Sequence, residues 1–347
     1  MKDDFIVEII NTPTPSGYEY PMQDVVYKYC RSKSEIHIDA MGNMICCINP
    51  QATKKIAFEA HCDEIGMIVH YISAEGYIYF HLLGGMDISI LRGLRVDIHT
   101  RHGIIPGVIG VKPPILMQNN RNESVNLSDL WIDCGLSSDQ VHDWVKVGDV
   151  VTFHHDSFIT KNGMIVGAGI DNKISVMALL ASIVETDFKK QPLDIGFYFC
   201  FTVQEEMGMR GVVPCITSIK PDVVISLDTV FTSDVPSVSS MQIGDIKLGQ
   251  GIVLSYSPEN SYELNDKIAE WAIQYDISFQ RYTNLLPTKG VNSSVIQYLL
   301  NGVKTVQLLT PCRNMHSPVE MCCDKDCEAL QKILCILIEK SKDLITA

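Results

Sequence analysis

The chain has 347 residues, of which 46% are apolar and 20% charged, so it can bury a substantial core and lacks the composition of disordered proteins. Its formal net charge of −13, with no block of Lys or Arg, argues against a nucleic-acid-binding surface. No signal-peptide pattern opens the chain, and no run of about 18 apolar residues predicts a membrane span. We therefore expect a soluble, cytoplasmic globular protein.

In the first half of the chain, the predicted secondary structure changes near residue 68. Residues 1–67 predict a helix over 20–29 and then short strands, the last of which ends at His61. From 68 to 163 strand follows strand, as in 67–72 and 94–99, with Gly and Pro between them. This stretch predicts a small all-β domain.

After Gly163, strands and helices alternate along the chain, which is typical of an α/β layer fold. Because His61 precedes the β domain and Asp171 follows it, we expect the β domain to be an insertion. Residues 1–67 and 164–347 then form one catalytic domain, and 68–163 form the inserted one. The predicted helices are 172–185 and 265–274, and the predicted strands are 193–203, 222–227 and 303–309.

The twelve cysteines show no repeating spacing. They lie inside apolar segments or in a loose C-terminal group, which favours free thiols in a reducing compartment over disulfides. Cys322, Cys323 and Cys327 include no Cys-x-x-Cys pair, so a zinc knuckle is the weaker interpretation.

Five side chains suited to metal binding stand at or just past the ends of apolar runs. In open α/β sheets, ligands bind in the crevice beyond the carboxyl ends of the strands. Imidazole and carboxylate are ligands of Zn²⁺ and Co²⁺, and one Asp can bridge two such ions. The pattern therefore predicts a two-metal hydrolase. The five candidate ligands are His61, Asp171, Glu206, Asp228 and His316.

Two further residues have predicted roles beside these ligands. Amide hydrolysis by two ions needs a bridging water as nucleophile and a group that takes its proton, and Glu205 is the candidate general base. On an extended segment, Glu206 would point to a metal ion and Glu205 to the opposite side, towards the water. Asp63 would accept the second N–H of His61 and orient its ring.

Each of these residues also has an ordinary structural interpretation. Glu205 and Glu206 could be a solvated acidic pair, Asp171 a helix cap, and Asp228 a turn residue. An isolated histidine more often ends a strand than binds a metal. The ordered combination of all five favours the metal site.

Taken together, the motifs resemble the glutamyl aminopeptidase family, also called the tetrahedral (TET) aminopeptidases, which are di-metal exopeptidases of peptidase family forty-two. The resemblance runs nearly end to end, from Pro15-Ser16-Gly17 to the C-terminal helix. The strings that carry it are His61-Cys62-Asp63-Glu64-Ile65-Gly66, Gly169-Ile170-Asp171-Asn172-Lys173, Gln204-Glu205-Glu206 through Gly211, Leu227-Asp228 and His316-Ser317-Pro318-Val319-Glu320-Met321.

The resemblance implies a fold, an activity and an assembly. The fold would be a three-layer α/β/α catalytic domain with an inserted, PDZ-like small β-barrel that serves dimerisation or assembly. The activity would be release of the N-terminal residue from oligopeptides by a homo-oligomer, commonly a dodecamer. His61 and Asp228 would hold one ion, Glu206 and His316 the other, with Asp171 bridging and Glu205 as base. The ions would be Zn²⁺ or Co²⁺, or else Mn²⁺.

This chain departs from the family pattern near the expected site. Where the family usually has Gly-Gly-Thr-Asp-Ala, the chain reads Lys289-Gly290-Val291-Asn292-Ser293, which removes a carboxylate and a hydroxyl. Ile115 replaces the usual His after the Pro-Pro pair, and Arg313-Asn314-Met315-His316 replaces Arg-Tyr-Ile-His. The preferred N-terminal residue therefore does not follow from the resemblance.

Three other functions compete with that of an aminopeptidase. A metal-dependent deacylase or amidase acting on modified amino acids would use a similar site. A glycoside hydrolase needs two carboxylates flanking a sugar and has no use for paired histidines at strand ends. A non-catalytic protein would be expected to have lost a ligand or the base, and this chain keeps both.

Overall fold

The protein is described from a computed structural model, which covers residues 3–113, 115, 126–192, 194–283 and 290–346. The helices are α1 Asp3–Ile10, α2 Tyr20–Cys30, α3 Ser138–Trp144, α4 Ile170–Glu185, α5 Val212–Ile219, α6 Ser240–Ile243, α7 Tyr262–Gln274, α8 Asn292–Ile296, α9 Asp324–Glu339 and α10 Ser341–Thr346. The first nine strands are β1 Glu35–Ile38, β2 Met44–Ile48, β3 Lys54–His61, β4 Gly66–Ile72, β5 Ile78–Leu83, β6 Arg95–Thr100, β7 Gly103–Val111, β8 Leu130–Asp133 and β9 Val150–Phe153. The later strands are β10 Phe158–Ile159, β11 Met164–Gly167, β12 Ile195–Thr202, β13 Val223–Phe231, β14 Ile252–Ser255, β15 Phe279–Tyr282, β16 Lys304–Cys312 and β17 Glu320–Cys323.

An eight-stranded mixed sheet forms the centre of the molecule, in the order β1-β2-β12-β3-β13-β16-β14-β15. The four middle strands, β12, β3, β13 and β16, run parallel to one another. Strand β12 reads IGFYFCFT and is buried along its whole length, as expected of a strand covered on both faces. Four parallel strands therefore bring their carboxyl ends to one edge of the sheet.

Helices cover both faces of this sheet, so the predicted three-layer α/β/α fold is confirmed. Helices α4 and α9 pack together against one face, and α5 and α8 against the other. Helix α4 is buried on all sides as far as Ile183. Its apolar residues therefore run continuously over Val176–Leu180 instead of recurring on one face only.

A closed barrel of strands β4-β5-β8-β7-β6-β9 is the second unit of structure. Its interior side chains, among them Met67, Val69, Ile98, Ile132 and Val151, form a hydrophobic cluster separate from that of the sheet. The predicted small β-barrel is therefore present.

A third, small sheet joins β10, β11 and β17. Strand β10 lies within the segment 68–163, yet it pairs with β11, which in turn pairs with the C-terminal β17. The division of the chain into a domain of 1–67 and 164–347 and an inserted domain of 68–163, with its role in assembly, stays a prediction.

All twelve cysteines are free thiols, as the absence of a repeating spacing predicted. The sulfur atoms of Cys322 and Cys327 lie 3.9 Å apart, within hydrogen-bonding distance and without a disulfide bond. Among the described residues, the group placed to hold a metal ion contains no cysteine, which counts against the zinc knuckle. Within the same residues, no helix combines the length and apolarity needed to cross a membrane.

Candidate metal centre

The predicted ligands and the predicted base line one cavity at the carboxyl edge of the parallel strands. His61 is the last residue of β3, Asp171 lies at the start of α4, and His316 follows β16. Glu205 and Glu206 follow β12. The fold therefore brings together residues that are up to 255 positions apart (316 − 61) in the sequence.

The expectation that every ligand stands at or past a strand end was wrong for Asp228. Strand β13 continues to Phe231, because β13 and β16 extend together and pair Asp228 with Leu309 and Phe231 with Cys312. Asp228 thus projects from within the strand, while the last residues of the strand form a wall of the cavity.

The segment that carries Glu205 and Glu206 is a turn, where the sequence predicted an extended stretch. Gln204 has a left-handed φ of 54°, and the N–H of Gly208 donates to the carbonyl of Glu205 at 2.9 Å. The turn closes where Gly211 meets Val203, and a Cβ at Gly211 would lie 2.3 Å from the Val203 carbonyl oxygen. Only glycine fits there.

Asp171 does not cap helix α4. Its Oδ1 has no hydrogen-bond partner among the described residues, and the N-cap of α4 is Gly169. The Asp171 N–H donates to Glu320 at 2.9 Å, and the Asn172 side chain donates to the carbonyl of Leu227 at 2.8 Å. These bonds hold the start of the helix against β13 and leave the Asp171 carboxylate for another partner.

The spacing of the imidazole and carboxylate atoms fits metal ions. His61 Nε2 lies 3.5 Å from Asp171 Oδ1 and 3.6 Å from Asp228 Oδ1. His316 Nε2 lies 3.5 Å from Asp171 Oδ2 and 3.4 Å from Glu206 Oε1. Hydrogen bonds would be shorter, about 2.7–3.2 Å. Two donors on one tetrahedral Zn²⁺, each at about 2.0–2.2 Å, stand about 3.3–3.6 Å apart.

The charges of the cavity also fit cations. Burial opposes ionisation of both histidines, but their carboxylate neighbours outweigh it and raise the pKa of His316 to about 11 and that of His61 well above its usual range. Burial raises the pKa of Glu205, and the nearby Asp228, Glu206 and Asp63 raise it further. Such an excess of buried acid is costly unless positive charge enters the cavity.

The Asp63 carboxylate has closer partners than the His61 ring that the sequence predicted for it. His61 Nδ1 lies 3.1 Å from the backbone carbonyl of Asp63 and 3.4 Å from its carboxylate. The carboxylate accepts from the backbone N–H groups of Glu205 at 2.9 Å and Glu206 at 3.1 Å, and from the Ser16 hydroxyl at 2.6 Å. Asp63 therefore holds the turn that carries the predicted base as well as the loop after His61.

Two buried glutamates near the site were not predicted to matter. Glu320 accepts from the backbone N–H of Asp171 at 2.9 Å and of His316 at 2.7 Å, so it ties two candidate ligands together. It stood in the string 316–321 without a role. Glu59, two residues before His61, accepts from Thr202 at 2.6 Å, Ser226 at 2.7 Å and Asn292 at 2.7 Å.

The departures from the family pattern have different surroundings. Gly290 and Val291 line the cavity, Asn292 is bound to Glu59, and Lys289 lies outside the described residues. Arg313 pairs with Asp234, its Nε donating at 3.0 Å. Ile115 is exposed to solvent, and the preceding Pro114 is outside the described residues.

Comparison with known proteins gives one family and close structural relatives. The family described as M42 glutamyl aminopeptidase matches residues 42–333. The lysyl aminopeptidase of Pyrococcus furiosus is 28% identical over 343 residues, which cover 97% of this chain and 96% of that protein.

Two solved structures have the same fold over nearly the whole chain. The TET aminopeptidase of a marine sediment archaeon of the Thaumarchaeota superposes with a TM-score of 0.90 at 28% identity, covering 97% of this chain and 95% of that one. The TET1 peptidase of Pyrococcus horikoshii, whose description states that it assembles into a tetrahedron or a large octahedral shell, gives 0.86 at 28% identity, with 96% and 98% covered.

Proposed function

Because the chain belongs to the M42 glutamyl aminopeptidase family, and is therefore a metalloaminopeptidase, we propose that it releases the N-terminal residue of oligopeptides with two divalent ions in the cavity described above. One observation carries the proposal. The Asp171 carboxylate presents one oxygen to each of two imidazoles, at 3.5 Å from both. That spacing suits a carboxylate that bridges two ions.

The proposed ligand assignment follows from which atoms share these spacings. His61 and Asp228 would hold one ion, and His316 and Glu206 would hold the other, with Asp171 able to contribute an oxygen to each. Nitrogen and carboxylate donors suit Zn²⁺, Co²⁺ and Mn²⁺, so the donor set does not distinguish among these three ions.

The two ions, when bound, polarise the scissile carbonyl and lower the pKa of water. Glu205 takes the proton of the attacking water and returns it to the leaving nitrogen. Its Oε1 has no hydrogen-bond partner among the described residues, so the carboxylate is available to a proton in the cavity. Burial raises the pKa of Glu205, and the positive charge of bound ions would oppose that rise.

Asp63 and Glu320 act as positioning residues in this proposal. Asp63 fixes the backbone of both Glu205 and Glu206, and Glu320 fixes that of Asp171 and His316. Each carboxylate therefore couples residues from two loops, which keeps the ligands in place before substrate arrives.

We place this activity in the cytoplasm, in a homo-oligomer, and assign the inserted β domain of 68–163 to its assembly. The support is the likeness to TET peptidases, one of which is described as a tetrahedron or octahedral shell. A dodecamer is the expected form, and light scattering on the purified full chain tests it, since a monomer or dimer would contradict this part of the proposal.

The activity is tested with protein that is depleted of metal by a chelator and then titrated with Zn²⁺, Co²⁺ or Mn²⁺. Substrates are a set of dipeptides with free N-termini and the same dipeptides N-acetylated. We expect activity on the free amines only, rising until two equivalents of metal per chain are bound. Cleavage of the acetylated series instead would replace the proposal with a metal-dependent deacylase, and activity that does not depend on metal would contradict both.

A further inference from the structure

The lining of the cavity, whose volume is about 400 Å³, contains two groups of residues of different chemistry. One group is the candidate ligands and Glu205. The other group, here called the side-chain pocket, includes Val230, Tyr282, Val291, Gln307, Leu309 and Met315. If the ions bind the scissile carbonyl, as the proposed function has it, the side-chain pocket is placed to receive the N-terminal side chain of the substrate.

The side-chain pocket is uncharged. Among the described residues that line the cavity, every charged side chain is a candidate ligand or Glu205. Arg313, close in sequence to Met315, is already paired with Asp234. A Glu or Lys side chain in the pocket would lose water without gaining a counter-charge, which is strongly unfavourable.

Gln307 forms the floor of the side-chain pocket. In the parallel ladder of β13 and β16, Asp228 pairs with Leu309 and Ser226 pairs with Gln307. Side chains two apart on a strand point to the same face, so Gln307 lies one repeat below Leu309 on the face that holds the site. Its side chain is only 3% exposed, and its Nε2 has no hydrogen-bond partner among the described residues.

An amide donor buried without a partner is unfavourable, so an acceptor from the substrate would relieve it. Glutamine offers a carbonyl oxygen near the end of its side chain, and methionine a weaker thioether acceptor. Leucine fills the same space and offers none. The floor therefore distinguishes among uncharged side chains of similar size.

Resting on the proposed aminopeptidase activity, we propose that the enzyme prefers uncharged N-terminal residues, glutamine and methionine before leucine, and that Gln307 determines this specificity. Gln307 donates to the acceptor of the substrate side chain. Glutamate and lysine are excluded because no described residue of the side-chain pocket balances their charge.

The test measures kcat/KM of the metal-loaded full chain on Gln-, Met-, Leu-, Glu- and Lys-p-nitroanilide. For the wild type we expect the three uncharged substrates to exceed the two charged ones by about tenfold or more, the loss expected when a buried group is left unpaired. In Gln307→Leu the Gln-to-Leu ratio falls about tenfold. In Gln307→Glu the Lys-to-Leu ratio rises at least about tenfold, because the new carboxylate pairs with the substrate ammonium.

Each ratio compares two substrates on one preparation, so partial unfolding of a variant leaves it unchanged. The exposed Gln274→Glu supplies the same charge change away from the cavity and should leave every ratio as in the wild type. Two results would overturn this inference and leave the aminopeptidase proposal in place. One is a wild type that cleaves Glu- or Lys-p-nitroanilide best. The other is a pair of Gln307 variants whose substrate ratios equal those of the wild type. No cleavage of any substrate would contradict the aminopeptidase proposal itself.

Discussion

Two buried polar clusters lie next to each other on the same strands, and they differ in the distances between their atoms. On β3 and β13, His61 and Asp228 belong to the candidate metal centre, while Glu59 and Ser226, two residues earlier on each strand, belong to the other cluster. In the metal centre the closest imidazole–carboxylate distances between ligands are 3.4–3.6 Å. The three hydrogen bonds that Glu59 accepts are 2.6–2.7 Å long.

The difference separates a site that needs a ligand from one that does not. Both oxygens of Glu59 are hydrogen bonded, to Thr202 and Asn292 on one side and Ser226 on the other. In the metal centre, Asp171 Oδ1 and Glu205 Oε1 have no hydrogen-bond partner among the described residues. Buried oxygens spaced too far apart to bond each other fit a cation held between them, whereas a satisfied carboxylate fits a structural role.

The first prediction, with the largest expected effect, concerns removal of the proposed general base, Glu205. Glu205→Gln keeps the shape of the side chain and should lower kcat by about 10²- to 10⁴-fold, the usual contribution of a general base. Metal content, measured by atomic absorption, should stay at the wild-type value because Glu205 is not a proposed ligand. The melting temperature should not fall, since the change removes a buried carboxylate whose pKa burial raises.

The exposed Glu263→Gln, on the first turn of α7, is the matched control and should leave kcat unchanged. If Glu205→Gln retained activity within about twofold, far less than a general base contributes, the role assigned to Glu205 would be wrong. If it lost metal as well, Glu205 would have to be regarded as a ligand.

The second prediction concerns the cluster without a ligand. Glu59→Ala leaves the hydroxyl donors of Thr202 and Ser226 without an acceptor, and leaves Asn292 with only its longer bond to Thr202 Oγ1 at 3.3 Å. At about 1–3 kcal/mol for each orphaned donor, the free energy of unfolding in urea should fall by about 2 kcal/mol or more. Glu59→Gln keeps one acceptor and should cost less than half of that.

Because Glu59 is not a candidate ligand, the Glu59→Ala variant should bind as much metal as the wild type where it still folds. A variant with normal stability but depleted metal would show that Glu59 belongs to the metal centre, and the distinction drawn from hydrogen-bond lengths would fail.

The fold was predictable from the sequence wherever a run of residues has one burial pattern. The buried strand β12, the helix α4 and the change to closely spaced strands after residue 68 were each visible as patterns, and the α/β/α fold with a barrel is confirmed. The length of β13 was not predictable. Its last residues are held by pairing with β16, and such long-range pairing leaves no local pattern.

That the candidate ligands line one cavity was likewise predictable, because the residue types and their places after apolar runs carry the signal. The surrounding residues that shape the site were harder to predict from the sequence. Glu59 sits within an apolar strand, and its partners come from β12, β13 and α8, so only the folded chain reveals why a carboxylate is tolerated there. The left-handed turn at Gln204 depends on a close approach to Gly211 that no local pattern predicts.

The smallest expected effect comes from restoring the family's carboxylate by Asn292→Asp. The Asn292 amide donates to Glu59 at 2.7 Å, so an aspartate there would face a buried carboxylate in place of a donor. Burial already raises the pKa of Glu59, although Thr202 and Ser226 bond its charged form, and a second acid beside it raises the pKa of the pair further.

A group whose pKa is raised on folding contributes stability below its unfolded pKa, and that stability is lost as the pH rises through the folded value. The variant should therefore be close to the wild type near pH 4, about the pKa of an unfolded carboxyl, and should lose on the order of 1 to 3 kcal/mol relative to it by pH 8. Urea unfolding across this range measures the difference, with the exposed Asn301→Asp as control for the added charge. If the variant were as stable as the wild type at pH 8, the side chain at position 292 would be free to turn away from Glu59. The absence of the family's carboxylate at this position would then not be explained by Glu59.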